Sequence, residues 1–310
     1  MSRQKLSLNK LKKLNHHGEV LQSVEFSEFC TFKCGGKLKV LLKINTLENF
    51  IKIMYYLEEI GEKFFVLGAG SNVLCSDGGY DGVVIKLEGD FVRSRQLSET
   101  EIECGAGVKL SQLFAIAKSL GLSGLECGAG IPATIGGATF MNAGAYGFEM
   151  SQIIKYVVAY VDGRITYFDN SDCQFDYRHS VFQENNGVIL RVGFAFQKRN
   201  IEDIDFDFKE TMKKRLESQP LDYPNAGSIF KRIDGIVVSK VLDNCGVKGL
   251  TLGSAKVSDK HANFIINTGN AESQDIYELI EIIKYRVKKQ TGIELQTEIK
   301  LLGEFDEVTW

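Results

Sequence analysis

Apolar residues along this chain follow two rhythms, an alternation that suits strands and a spacing of three and four that suits helices. LKVLLKI predicts a strand over residues 38–44. Thr46 then stands where its side-chain oxygen would cap a helix, whose apolar face is marked by Leu47, Phe50, Ile51, Met54 and Leu57 as far as Gly61. KFFVL predicts a buried strand over 63–67 that delivers straight into the glycine turn GAGSNVL at 68–74. Val83, Val84 and Ile85 mark another strand, residues 91–104 read as hairpin strands, and a helix over 110–120 turns Leu110, Leu113, Ala117 and Leu120 inward before Gly121. Strands follow over 154–161, 164–168 and 188–197, and in the last of these Val188, Leu190, Val192, Phe194 and Phe196 alternate.

A helix around 208–216, ending before Pro220, leads into a second set of elements. These are a turn at 224–228, a short helix over 236–245, a strand over 263–267 and a long helix over 273–290 with Ile276, Leu279, Ile280, Ile283 and Val287 on one face. A final strand is expected over 294–302, followed by a frayed acidic tail, GEFDEVTW. Residues 1–20 read as an extension in which Leu6, Leu8, Leu11 and Leu14 sit unevenly among lysines, and His16 and His17 read as exposed polar residues.

One stretch fits neither rhythm. Residues 124–147, GLECGAGIPATIGGATFMNAGAYG, hold seven of the chain's 31 glycines. Each glycine in a regular element costs roughly 0.5–1 kcal/mol relative to alanine, so the density implies positive φ angles or a backbone approached closely by a ligand. The stretch reads as a wall around something large and flat. The turn at 68–74 offers backbone N–H groups to an anion such as a diphosphate. It is not the dinucleotide fingerprint, since Val73 stands where a third glycine belongs, and it lacks the Lys-Ser/Thr ending of a phosphate-binding loop. A tight strand-to-loop turn explains it equally well.

Composition narrows the class. A chain of 310 residues with 44% hydrophobic and 25% charged residues is a soluble globular protein of two or three domains. A net charge of -3 gives no basic stripe for nucleic acid. Of the seven cysteines, Cys30 and Cys34 are closest and have no second pair to complete a metal site. They read as reduced thiols in a reducing cytoplasm. The basic start lacks the apolar core of a signal peptide, and no run reaches the roughly 18 apolar residues of a membrane span. Neither a metal, a membrane nor a nucleic-acid partner is expected.

Five segments in order carry a resemblance. GAGSNVL (68–74), GIPATIGGATFMNAGAYG (130–147), YRHSVFQ (177–183), NAGSIFKR (225–232) and VSDKHANFIIN (257–267), with Glu298 and Lys300 in TEIKLLG, resemble the UDP-N-acetylenolpyruvoylglucosamine reductase family. The resemblance spans nearly everything from Thr31 to Gly303, and the compact segment between Phe182 and Val188 is similar to the family's shorter type. It implies an α+β fold: a two-part FAD-binding domain of the PCMH, or vanillyl-alcohol-oxidase-like, kind over 21–203, with subdomains meeting near 87, then a C-terminal α+β substrate domain over 204–303 and a tail over 304–310.

The implied activity is reduction of UDP-N-acetylglucosamine enolpyruvate to UDP-N-acetylmuramate for peptidoglycan synthesis, with non-covalent FAD as cofactor and NADPH as co-substrate. In that chemistry the flavin N5 passes hydride to the terminal methylene carbon, and negative charge gathers on the neighbouring carbon and its carboxylate. Fixed donors must meet that charge as it forms. Arg178 is matched to that task, because a guanidinium is always charged and forks onto a carboxylate. From spacing alone Arg178 would read as a surface partner of Asp176. Ser228 matches the proton donor, although turn preference alone would make it a turn residue after Gly227. Glu298 matches the catalytic glutamate, useful beside an enolate only if protonated or bridging through a donor. His261 is the tempting alternative acid, but reads better as an anchor for the loop before the 263–267 strand.

The resemblance places FAD against Gly68, Ala69, Gly70, Ser71 and Asn72, which would take the diphosphate, and against Gly130, Ile131, Pro132, Thr134, Gly136, Gly137, Asn142, Gly144 and Ala145. Tyr177, Asn225, Lys231, Arg232 and Lys300 are the implied substrate contacts. The sequence departs from the family pattern at Ala133, where glycine is usual before the serine or threonine position filled by Thr134, at Ile233 for proline and at Lys300 for arginine. Ala133 is tolerable only with a negative φ, and lysine at 300 keeps the charge but loses the fork. Two other functions compete: an oxygen-using FAD alcohol oxidase on the same flavin-binding fold, which the 225–232 and 257–267 segments disfavour, and a non-catalytic nucleotide-sugar binding protein. The spacing says nothing about oligomeric state, for which a monomer is the simplest expectation.

Overall fold

The computed structural model describes residues 18–308 of the chain. Residues 1–17 of the predicted extension, with its two histidines, therefore lie outside the described residues, whereas its last two, Glu19 and Val20, open a strand. The chain forms two compact units that interleave in sequence: the first holds residues 18–21, Val40–Ala69 and Gly82–Lys213, the second Gln22–Lys39, Gly70–Asp81 and residues 214–308.

In the first unit the predicted elements form where local chemistry starts and stops them. Thr46 Oγ1 accepts from Asn49 N at 3.2 Å and opens helix α1 (Leu47–Ile60), and Gly61 closes it at φ 62°. Phe50, Ile53, Met54 and Leu57 face the core. Ile51 does not: it is 41% exposed, and Ile53 takes the inward place expected for it. Strands β1 (Glu19–Glu25), β2 (Lys37–Ile44), β3 (Phe64–Val66) and β5 (Tyr80–Leu87) line up in the order β1-β2-β5-β3; the sequence boundaries of the two units fall inside β1, β2 and β5, and β4 (Val73–Cys75) belongs to the second unit.

A five-stranded sheet follows. Its strands are β6 (Ser94–Gln96), β7 (Glu101–Gly105), β8 (Ile154–Val161), β9 (Arg164–Asp169) and β10 (Val188–Ala195), in the order β9-β8-β10-β7-β6. Phe91 belongs to a single 3-10 turn before β6 rather than to the hairpin. Helix α2 (Leu110–Ser119) buries Leu110, Leu113, Phe114 and Ala117, whereas Leu120, expected to face inward, lies just past the helix end and is 39% exposed. Within the glycine-rich stretch a short helix, α3 (Ile135–Phe140), starts at Thr134. Helix α4 runs from Ile201 to Ser218, seven residues earlier than the 208 start expected. The alternating IEDIDFDF pattern hides its beginning, but Asn200 Oδ1 accepts from Glu202 N at 3.0 Å and Ile204 is fully buried.

The second unit contains α5 (Val238–Asn244), a three-stranded sheet β11 (Thr251–Leu252), β12 (Ala255–Val257) and β13 (Ile265–Asn267), helix α6 (Ser273–Thr291), and β14 (Lys300–Leu302), which pairs parallel with β4. The final strand is shorter than its apolar pattern suggested, because of residues 294–299 only Thr297 forms a bridge, to Phe230. Nor is the tail frayed as far as 306. Asp306 N donates to Gln274 Oε1 at 3.2 Å, and Phe305 packs on Tyr277 with ring centroids 4.8 Å apart.

Helix α6 is capped from a distant segment: Ser273 N and Gln274 N donate to the Asp77 carboxylate at 2.9 and 2.8 Å. A carboxylate there satisfies two orphan donors and meets the helix dipole. Asp77→Ala is expected to cost about 1–2 kcal/mol in urea unfolding, with Asp77→Asn losing less.

All seven cysteines are free. Burial pushes the Cys34 and Cys75 thiols up to about 12, which leaves them inert. Among the described residues no group of three or more His, Cys, Asp and Glu side chains is placed to hold a metal, and no helix is long and apolar enough to cross a membrane.

Candidate active site

In the first unit the glycine-rich stretch and the loop carrying Arg178 are stitched together. Asp176 and His179 exchange backbone hydrogen bonds (3.0 and 3.3 Å), leaving Tyr177 and Arg178 at the tip of a tight turn. Arg178 has φ 53°, a left-handed conformation that costs a non-glycine residue on the order of 1 kcal/mol. The turn is over-determined by its neighbours. Gln183 Nε2 donates to Arg178 O and to Phe140 O, both at 3.0 Å, and Ser180 Oγ donates to Phe140 O at 2.7 Å. The arginine head then reaches the glycine-rich stretch: Nη2 donates to Gly144 O at 2.6 Å and Nη1 to Asn142 O at 3.5 Å, with the guanidinium carbon 4.8 Å from the Tyr177 ring centroid. The fold gives Arg178 a fixed seat on the glycine-rich stretch.

Asn142 is fully buried and left-handed at φ 39°. Its Nδ2 donates to Asp176 O (2.9 Å) and Glu149 Oε2 (3.1 Å), and its Oδ1 accepts from Ser151 N (2.9 Å). Its side chain thus fastens the Arg178 turn and is spent on the protein itself.

The glycines divide by what surrounds them. A Cβ on Gly136 would come within 2.9 Å of the Ala106 Cβ, and one on Gly128 within 2.3 Å of the Phe148 ring, so packing inside the chain accounts for both. Gly137 is different. It is exposed, and apart from its own helix a Cβ there would meet only Thr134 Oγ1, at 3.4 Å. Nothing in the unit requires glycine at 137, as expected of backbone left bare for a ligand. On Gly68 a Cβ would strike Thr134 Oγ1 at 2.5 Å, which brings the glycine turn and the start of α3 together. Lys86 Nζ donates to Gly68 O at 2.9 Å, which sets a lysine side chain beneath this turn, although burial lowers its pKa. Sequence reasoning missed Lys86, an interior lysine on an otherwise apolar strand. Ala133 does not have a positive φ, which meets the condition for its replacing glycine.

In the second unit, Gly70, left-handed at φ 65°, would place a Cβ 2.2 Å from Phe29 O, so no other residue fits. Asn72 then links the turn to the last strand: its Nδ2 donates to Glu298 O (3.3 Å), and its carbonyl accepts from Lys300 N (2.9 Å). Glu298 N donates to Ile229 O at 2.7 Å, so Glu298 and the residue after Ser228 share one hydrogen bond. Gly227 N donates to Asn225 Oδ1 (2.9 Å), and Asn225 Nδ2 to Tyr223 O (2.8 Å), which fixes the approach to Ser228. Lys231 N donates to Gln296 O at 2.8 Å. Burial first, then the nearby Lys231 charge, lowers the Lys300 pKa, so the two lysines lie near enough to feel each other. The second unit thus ties Asn72 to Glu298 and Lys300, and Glu298 to the segment that carries Asn225, Ser228 and Lys231. The first brings together Gly68, Thr134, Gly137, Asn142, Gly144, Tyr177 and Arg178.

His261 anchors its loop. Its Nδ1 accepts from Asn263 N at 3.2 Å and its ring lies edge-on to Phe264 at 4.8 Å. Burial lowers its pKa from 6.5, helped by Lys248 and opposed by Asp243. The folded state therefore resists a proton that the unfolded chain accepts. Stability is expected to fall as pH drops below about 6.5, and His261→Asn, which keeps an acceptor and cannot titrate, should flatten that part of the urea midpoint against pH.

Residues 38–167 match the FAD binding domain family, and residues 219–302 match the UDP-N-acetylenolpyruvoylglucosamine reductase C-terminal domain. With the bare backbone at Gly137 and the lysine-backed glycine turn, this defines the class: an FAD-dependent oxidoreductase with a distinct C-terminal domain. The chain is 40% identical over 298 residues to the UDP-N-acetylenolpyruvoylglucosamine reductase of Caldanaerobacter subterraneus subsp. tengcongensis, covering 96% of this chain and 98% of that one. It is 36% identical over 306 residues to the reductase of Clostridium novyi, covering 98% and 99%. The crystal structure of the reductase MurB from Thermus caldophilus aligns with a TM-score of 0.80 at 32% identity, covering 92% of this chain and 99% of that one. The chain belongs to the UDP-N-acetylenolpyruvoylglucosamine reductase family.

Proposed function

We propose that this protein reduces UDP-N-acetylglucosamine enolpyruvate to UDP-N-acetylmuramate in the cytoplasm, with NADPH as the electron source, as a step of peptidoglycan precursor synthesis. The observation that carries the proposal is the pairing of Ser228 and Glu298 segments through the Ile229 carbonyl, within the part that matches the family's C-terminal domain. FAD, when bound, supplies the chemistry of taking hydride from NADPH and giving it to the enolpyruvyl carbon.

Gly68, Ala69, Gly70, Ser71 and Asn72 would hold the diphosphate, with the Lys86 side chain behind Gly68 O. Gly130, Ile131, Pro132, Thr134, Gly137 and Ala145 would line the rest of the cofactor, while Gly136 and Asn142 act from behind as packing and fastening residues. Arg178 holds the substrate carboxylate through its guanidinium, a permanent positive charge that meets the negative charge developing there. Ser228 gives its hydroxyl proton to the carbon left with the electron pair, which works because an enolate is a far stronger base than an alkoxide-forming serine is an acid. Glu298 orients that end of the substrate through a proton or donor held between them. Lys231 and Lys300, with Tyr177, Asn225 and Arg232, bind the anionic UDP-sugar. In domain terms, residues 21–203 serve FAD and 204–303 the nucleotide sugar.

The test is anaerobic spectroscopy. NADPH should bleach the flavin band, and the enolpyruvyl sugar should restore it. Return of colour only on admitting oxygen with an alcohol would favour an oxidase, and a protein that stays colourless after incubation with FAD would overturn both.

A further inference from the structure

The second unit holds a hydrogen-bond arrangement that none of these roles uses. Asn263 is 7% exposed, and its side chain closes on the backbone of Phe230 from both sides. Phe230 N donates to Asn263 Oδ1, and Asn263 Nδ2 donates to Phe230 O, each at 2.9 Å. The Asn263 carbonyl accepts from Ile229 N, also at 2.9 Å. Three hydrogen bonds from one residue therefore land on the two residues that follow Ser228. On its other side Ile229 accepts from Glu298 N at 2.7 Å. The peptide that Asn263 holds is thus the one from which Glu298 hangs.

A carboxamide presents one acceptor and two donors in a plane. Against Phe230 it behaves as a strand neighbour would, without the length of a strand. Here that matters because residues 224–229 form no strand of their own. The clamp has its own support, since Asn263 N donates to His261 Nδ1.

We propose that Asn263 is the positioning residue for the proton donor: it fixes the Ile229–Phe230 backbone, and through it the placement of Ser228 relative to Glu298. This rests on the function proposed above. A serine proton must lie within hydrogen-bond reach of its acceptor, and a displacement of about 1 Å is enough to cost roughly 10²-fold in rate.

The test combines a rate with a readout that needs no turnover. In Asn263→Ala, amide hydrogen exchange at Ile229 and Phe230 should accelerate in the substrate-free protein while α6 amides keep their protection. Flavin reduction by NADPH should be unchanged, and reoxidation by the enolpyruvyl sugar should slow by about 10²-fold. In a Ser228→Ala background the same change should add less than about twofold, because residues acting as one unit are not additive. Asn263→Asp, which keeps the acceptor and loses the donor, should lie between and serves for the cycle if the alanine variant fails to fold. An equal fold-loss in both backgrounds, or unchanged exchange at Ile229 and Phe230, would overturn the proposal. A wild-type protein reduced by NADPH but not reoxidised by the sugar would instead remove the functional reading, and the exchange result alone would then decide whether the clamp exists.

Discussion

Ser228→Ala is expected to let NADPH bleach the flavin at the wild-type rate and to slow substrate-driven reoxidation by roughly 10²–10⁴-fold, the range for a lost general acid. The two half-reactions separate cleanly because the hydroxyl concerns only the second. The backbone around Ser228 is held by Asn225 on one side and by Asn263 and Glu298 on the other, so removing one oxygen leaves that frame in place. Stopped-flow absorbance of each half-reaction is the measurement. Failure of the reductive half-reaction in this variant would reassign Ser228 to NADPH access or to structure.

Arg178→Lys is expected to keep the charge and still lose about 10²–10³-fold in reoxidation. The wild-type head is seated on Gly144 O and Asn142 O, and a guanidinium presents its donors in a planar fork that matches a carboxylate. A lysine offers a single nitrogen. The loop itself should survive, since Gln183, Ser180 and Asn142 hold it without the arginine head. Flavin content and unfolding midpoint should therefore stay near wild type, and an unchanged single-turnover reoxidation would take Arg178 out of the mechanism.

What the sequence disclosed was local. Thr46 and Gly61 bracket α1 because caps act within one turn, and Ile276 to Val287 show the buried face of α6 because the helical period repeats along it. Ile51 and Ile53 were exchanged since both lie near the edge of the α1 stripe, where only the packed neighbours decide. The start of α4 was hidden by alternating acids and apolar residues, which imitate a strand. The glycine-rich stretch was visible as a density, but its division was not: Ala106 and Phe148, neighbours in space, account for Gly136 and Gly128. Asp77, Asn142 and Asn263 were equally illegible in their roles, because each acts on backbone far from it in sequence, and no spacing rule reaches across 196 residues from Asp77 to Ser273.

Gly137 carries a different consequence. In the folded chain an alanine there would meet only one atom outside its own helix, at ordinary contact distance, and would favour α3 by roughly 0.5–1 kcal/mol. Selection for thermostability of the empty protein would install it. A laboratory evolution that screens for heat resistance without screening for colour should drift toward that substitution, and its hardiest survivors would be those that had given up the cofactor.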